Sequence, residues 1–142
     1  MVSEAGQKQV VFSAFDPLEG RKRELARIRL EAPMNTFWDL SPDGARIVYG
    51  KAQEPAGRLG VLTLAEGTTR ELSVKGWGQF DSAAWSADGK VLFVTSYSSA
   101  GSSLLRVTLD GEAQLLYKAN WWMERPAPSP DGRYLALAAV TI

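Results

Sequence analysis

The chain has 142 residues, 45% of them hydrophobic and 23% charged, and its sixteen basic and sixteen acidic side chains cancel. That is enough apolar sequence for one ordinary domain, and the balanced charge creates no field to draw nucleic acid or an anionic membrane. With neither cysteine nor histidine, disulfides, thiolate nucleophiles, Cys/His metal sites and imidazole-based triads are excluded.

From the N-terminus, Met1 to Gln7 lacks the basic start and apolar stretch of a signal peptide. No run of about 18 apolar residues occurs, so no membrane-spanning helix is expected on this segment. The compartment stays open between cytoplasm and periplasm. After a short first strand, Gln9 to Phe15 and Glu24 to Leu30 read as strands. Arg21-Lys22-Arg23 between them is checked at once by Glu24, which favours a solvated hairpin over a phosphate site.

The next segment reads clearly. Thr36 to Leu40 is a strand running into the turn Ser41-Pro42-Asp43-Gly44. Proline presets φ for such a turn, and glycine takes the left-handed conformation a bulged hairpin needs. Ala45 to Gly50 is then an inner strand, Leu59 to Leu64 a third and Thr69 to Val74 a fourth. The same grammar follows with Phe80 to Trp85, the turn Ser86-Ala87-Asp88-Gly89, Lys90 to Ser96, Ser103 to Leu109 and Ala113 to Tyr117. The serines and glycine of 98–103 suggest a long flexible loop. A third turn, Ser129-Pro130-Asp131-Gly132, precedes Tyr134-Leu135-Ala136-Leu137.

Ser41 to Ser86 is 45 residues and Ser86 to Ser129 is 43. Strands and tight turns repeating every 40–45 residues are the signature of β-propeller blades. The expected fold is therefore all-β: a partial propeller of about three and a half four-stranded antiparallel blades forming one domain over 1–142. The blades fall at about 1–35, 36–77, 78–119 and 120–142, the last incomplete. A closed ring usually needs four to eight blades. The chain is thus expected to be part of a longer polypeptide, with a homodimer closing one ring as the alternative.

The W-x-x-S-x-D-G pattern, clearest as Trp38-Asp39-Leu40-Ser41-Pro42-Asp43-Gly44 and shortened at Trp85-Ser86-Ala87-Asp88-Gly89, resembles the WD-repeat-like propeller repeats of TolB-type proteins. Similar repeats occur in tricorn protease and the dipeptidyl-peptidase propellers. The third copy departs by lacking the tryptophan. Phe15-Asp16-Pro17, Arg23-Glu24-Leu25-Ala26-Arg27, Val74-Lys75-Gly76-Trp77 and Leu104-Leu105-Arg106-Val107 extend the likeness to the C-terminal propellers of acidobacterial serine/threonine kinase or winged-helix regulators. In those proteins the last blade continues beyond its Ser-Pro-Asp-Gly-Arg turn by one more strand than this chain has. The resemblance implies a binding or scaffold module of a bacterial sensor or regulator. No kinase motif lies on these residues, so kinase activity does not carry over.

An enzyme needs a nucleophile or paired carboxylates at usable spacing. Asp43, Asp88, Asp131 and Asp110 are each explained by a turn, and no G-x-S-x-G elbow is present. Asp16, Asp39 and Asp81 lie near strand ends that would share one rim. The expectation is a non-enzyme with no cofactor and no metal. Its partner is expected to be a protein or small ligand at a ring face, with no nucleic acid or membrane on this segment. The alternative is the substrate-gating propeller of a serine-peptidase-type hydrolase. Trp38 and Trp85 occupy similar blade positions and are expected to pack between blades. Trp77, Trp121, Trp122 and Arg125 are the candidate recognition surface, because tryptophan is favoured at contact hot spots. Strand alternation would turn one of Trp121 and Trp122 outward.

Overall fold

The computed structural model describes residues 8–30, 36–52 and 54–140, in which the chain forms two compact units, 1–35 and 36–142. In the first, β1 (Lys8–Phe15) and β2 (Lys22–Leu30) form an antiparallel hairpin with a bulge between Phe12 and Ser13. Asp16 Oδ1 accepts the Leu18 and Glu19 amides at 2.8 and 3.2 Å, and these bonds hold its carboxyl below the usual carboxylate range. Asp16 is a turn residue. The short strand expected ahead of this hairpin lies outside the described residues.

The second unit contains two four-stranded antiparallel sheets. The first runs in order β3 (Thr36–Leu40), β4 (Arg46–Lys51), β5 (Arg58–Thr63), β6 (Thr68–Ser73). The second runs β7 (Phe80–Trp85), β8 (Val91–Ser98), β9 (Gly101–Thr108), β10 (Ala113–Ala119), and the hairpin β11 (Trp122–Pro128) and β12 (Leu135–Val140) follows. Each strand neighbours the next in sequence, the simple meander of a blade. Between sheets, β7 lies against β3 on one side and β11 on the other, so successive first strands run side by side. The serine-rich 98–103 segment is not a long loop. Strands β8 and β9 extend through it, leaving only Ser99 and Ala100 as the turn. Ser102 and Ser103 are buried, and Ser102 Oγ accepts the Met123 amide of β11 at 3.0 Å. A buried hydroxyl with such a partner is compatible with a strand.

The main core lies between the two four-stranded sheets, with Val48, Leu59, Val61 and Leu72 facing Ala83, Leu92, Val94 and Leu105. Trp85 closes it at 2% exposure. Its amide donates to Asp39 Oδ2 at 2.9 Å and its indole N–H to the Asp39 carbonyl at 3.1 Å. The Arg46 guanidinium covers the ring at 4.6 Å and donates onward to the Gly89 carbonyl at 3.0 Å. Trp38 differs: it is 55% exposed. The two positions are not equivalent, since Trp38 stands three residues before its turn serine and Trp85 only one. A smaller cluster, Leu104, Ala119 and Met123 with Phe93, Leu135 and Leu137, joins β11–β12 to the second sheet.

The three Ser-x-Asp-Gly turns are built identically. Each serine hydroxyl donates to the aspartate Oδ1 (2.6, 2.7 and 2.6 Å) and accepts the amide five residues after the serine (3.0, 3.1 and 3.0 Å). The same Oδ1 accepts the amides of Ala45, Lys90 and Arg133, each at 3.0 Å. The serine hydroxyl bond, then the backbone bond, hold Asp43, Asp88 and Asp131 below the usual carboxylate range. Gly44, Gly89 and Gly132 close the turns at φ of 72°, 71° and 74°, where a β-branched residue is strained. The turns also approach one another. The Arg46 bond links the first to the second, and a Cβ on Gly132 would lie 3.6 Å from that of Ala87. Gly44→Val or Gly89→Val should lower stability by about 1–3 kcal/mol in thermal or urea unfolding. Unchanged melting in both would contradict this turn geometry.

Candidate functional site

The turns occupy one end of the sheets of the second unit, and the β8–β9 turn and β10–β11 connection occupy the other. At that second end is a groove of about 660 Å³ whose walls include Tyr97, Ser99, Asn120, Trp121, Trp122 and Glu124. Trp122 leans on Tyr97 with ring centroids 4.5 Å apart and planes tilted by 35°. Its indole N–H donates to Glu124 Oε2 at 3.3 Å. Trp121 is 38% exposed, and the next inward residue of β11 is Met123, which is buried.

Of the residues singled out in the sequence, Trp121 and Trp122 line this groove together. Arg125 stands beside it, exposed, with its Nε 4.0 Å from Glu124 Oε1. It holds a φ of 59°, where β11 bulges against β12 between Glu124 and Ala127. Such a conformation costs a non-glycine residue energy that neighbouring structure must supply. Here the Arg125 amide donates to Ser82 Oγ at 3.3 Å. Trp77 does not join them. It packs against the main core, and its carbonyl occupies the space a side chain at Gly57 would need.

Three residues lie at the same end of the sheets as the groove, although only Glu124 lines it. Thr36, Asp81 and Glu124 each stand five residues before a turn serine, at corresponding places near the start of β3, β7 and β11. Asp81 is the extra residue of a bulge where β7 shifts register against β8 between Phe80 and Ser82. Among the described residues, the buried side-chain polar atoms without a hydrogen-bond partner are Thr36 Oγ1 and both carboxylate oxygens of Asp81. Burial, with the neighbouring Glu124 charge, pushes the Asp81 carboxyl up to about 6. Asp39 sits near the opposite, turn-side end of its strand, so Asp39 and Asp81 do not share a rim. Burial raises Asp39, while the Trp85 amide opposes that rise. Among the described residues no three acidic side chains cluster as a metal site would require.

Asp81 binds its proton more tightly folded than at its ordinary value of 3.8, so its ionisation costs stability. That cost is complete above about pH 6 and fades as the pH falls toward 4. Asp81→Asn should therefore raise stability at pH 8 by about 1–2 kcal/mol, less than the full shift because solvent screens the site. The gain should shrink at pH 4.5. An equal gain at both pH values, measured by urea unfolding, would contradict the assignment.

No protein-family model matches the sequence, and no curated protein sequence matches it. Solved structures do. TolB from Acinetobacter baumannii is 18% identical with a TM-score of 0.66, the match covering 92% of this chain and 34% of that one. A protein assigned as TolB from Agrobacterium tumefaciens is 20% identical with a TM-score of 0.65, covering 93% and 50%. A periplasmic gluconolactonase from Pseudomonas aeruginosa is 19% identical with a TM-score of 0.56, covering 89% and 42%. The chain thus spans half or less of the length of these structures. At such identities the likeness concerns the fold, and together with the four-stranded antiparallel sheets it makes this chain a partial β-propeller of TolB-like architecture.

Proposed function

We propose that this chain is a non-catalytic binding module, the ligand-facing part of a propeller within a larger bacterial sensor or regulatory protein. The observation that carries the reading is the groove at the end of the sheets opposite the turns, with Trp121 exposed on one wall and Trp122 held by Tyr97 and Glu124. Tryptophan offers large contact area for little lost conformational freedom and is enriched among residues that dominate binding. A groove of this volume suits a small ligand or one to three side chains of a protein partner. The likeness of the repeats to regulator propellers supports the larger setting, as does the share of its structural neighbours that the chain spans.

A hydrolytic reading has one observation in its favour, the neighbouring carboxyls of Asp81 and Glu124 with the first held near neutral pH. Acid–base catalysis uses carboxyls tuned in this way. The binding reading is preferred because Glu124 is engaged by the Trp122 indole and Asp81 does not line the groove.

A ligand-observed NMR screen of neutral, cationic and anionic fragments tests the proposal. Fragments should bind the 142-residue chain, and Trp121→Ala should weaken the hits at least tenfold, about 1.4 kcal/mol or more. The melting temperature should barely move, because Trp121 lies at the surface. Loss of stability without loss of binding would return Trp121 to a packing role. Turnover of an ester or lactone that Asp81→Asn abolishes would favour the enzyme.

A further inference from the structure

We propose that the groove beside Trp121 and Trp122 receives an organic cation: an ammonium, guanidinium or quaternary ammonium head group. The inference rests on the binding-module reading and adds the chemistry of the ligand. Three aromatic side chains, Tyr97, Trp121 and Trp122, contribute to its walls. Aromatic faces carry negative potential and attract cations, most strongly when the cation is stripped of water. Glu124 supplies a full negative charge within the groove, and its Oε2 is kept in place by the Trp122 indole.

Asp81, outside the groove, adds to the negative potential around Glu124. It neighbours Glu124, and its two oxygens are buried without a hydrogen-bond partner. A buried charge lacking a partner is expensive, and here the β7 bulge inserts it where an uncharged residue would cost less. A protein that keeps such a group at the expense of stability commonly does so at a working site.

The nearby basic residue does not cancel the pair. Arg125 reaches Glu124 only at 4.0 Å, with its side chain 85% exposed and outside the groove. A surface pair of this kind contributes little. Among the described residues no lysine or arginine lines the groove. An anion would meet the Glu124 carboxylate, with Asp81 adding repulsion from outside the groove, and a neutral ligand would leave Glu124 uncompensated. A cation satisfies Glu124 and the aromatic faces together, while Ser99 and Asn120 supply neutral hydrogen bonds at the margin.

The test compares ligands of one shape and different charge by titration calorimetry on the 142-residue chain. Choline and its neutral isostere 3,3-dimethylbutan-1-ol form one pair; an N-acetyl-glycyl-lysyl-glycine amide and its norleucine counterpart form the other. The cation of at least one pair should bind tenfold or more tighter than its neutral partner. Glu124→Gln should remove most of that preference. Arg125→Gly, which frees Glu124 and relieves the backbone at φ 59°, should preserve or strengthen it. On the unaltered chain, raising NaCl from 0.05 to 0.5 M should weaken the cation and spare the neutral compound. This last readout stands even where a variant fails to fold. Tighter choline points to a free small cation, and a tighter lysyl peptide to a basic side chain of a partner. Equal binding of charged and neutral members, or a preference for anionic fragments, overturns the inference and leaves the binding module intact. No binding by any fragment overturns both.

Discussion

Everything in the second unit depends on covering the apolar faces of thin sheets. A four-stranded sheet cannot bury its own faces, so its stability comes from what lies against it. Here Trp85 sits between β3–β6 and β7–β10, hung from Asp39 by its amide and its indole and covered by Arg46. The arrangement satisfies every polar group of the indole while burying one of the largest apolar surfaces a residue offers. It also fixes how close the sheets come, since Arg46 spans from Trp85 to the carbonyl of the neighbouring turn. The core of Val48, Val61, Leu92 and Leu105 fills in behind that anchor.

The two ends of the sheets do different work. At one end three copies of the same turn share one pattern of serine and aspartate hydrogen bonds, which leaves little room for a ligand-specific role. At the other the chain varies: a two-residue turn after β8, a connection bearing paired tryptophans, a bulge at Asp81 and a left-handed Arg125. Rigid turns with variable loops opposite them are how repeat scaffolds position recognition groups. Unpartnered carboxylate and backbone strain gather at the variable end, as is common where function opposes stability.

What the sequence made legible follows from this division. The turns were readable because Ser41, Asp43 and Gly44 act within five residues of one another, and their copies at 86 and 129 act likewise. Trp121 and Trp122 stand out in the sequence as bulky residues in a connection. Their company does not, because Tyr97 reaches them from another strand. Asp81 gained its character from a bulge that no local pattern announces, although its offset from Ser86 matches that of Glu124 from Ser129. Trp38 and Trp85 differ because the face of β7 that carries Ala83 and Trp85 packs on the sheet β3–β6, whereas the face of β3 that carries Trp38 and Leu40 is exposed. The serines near 100 suggested a loop because the hydroxyl partner of Ser102 lies on β11, far away in sequence.

Trp85 and Asp39 join the two four-stranded sheets into a single cooperative body. Amide hydrogen exchange on the chain and on Trp85→Ala measures this directly. Protection should fall together in β4–β5 and β8–β9 when the indole is removed. Loss confined to β7–β10, with β4–β5 protected as before, would show that the sheets are stable separately and that Trp85 does not couple them.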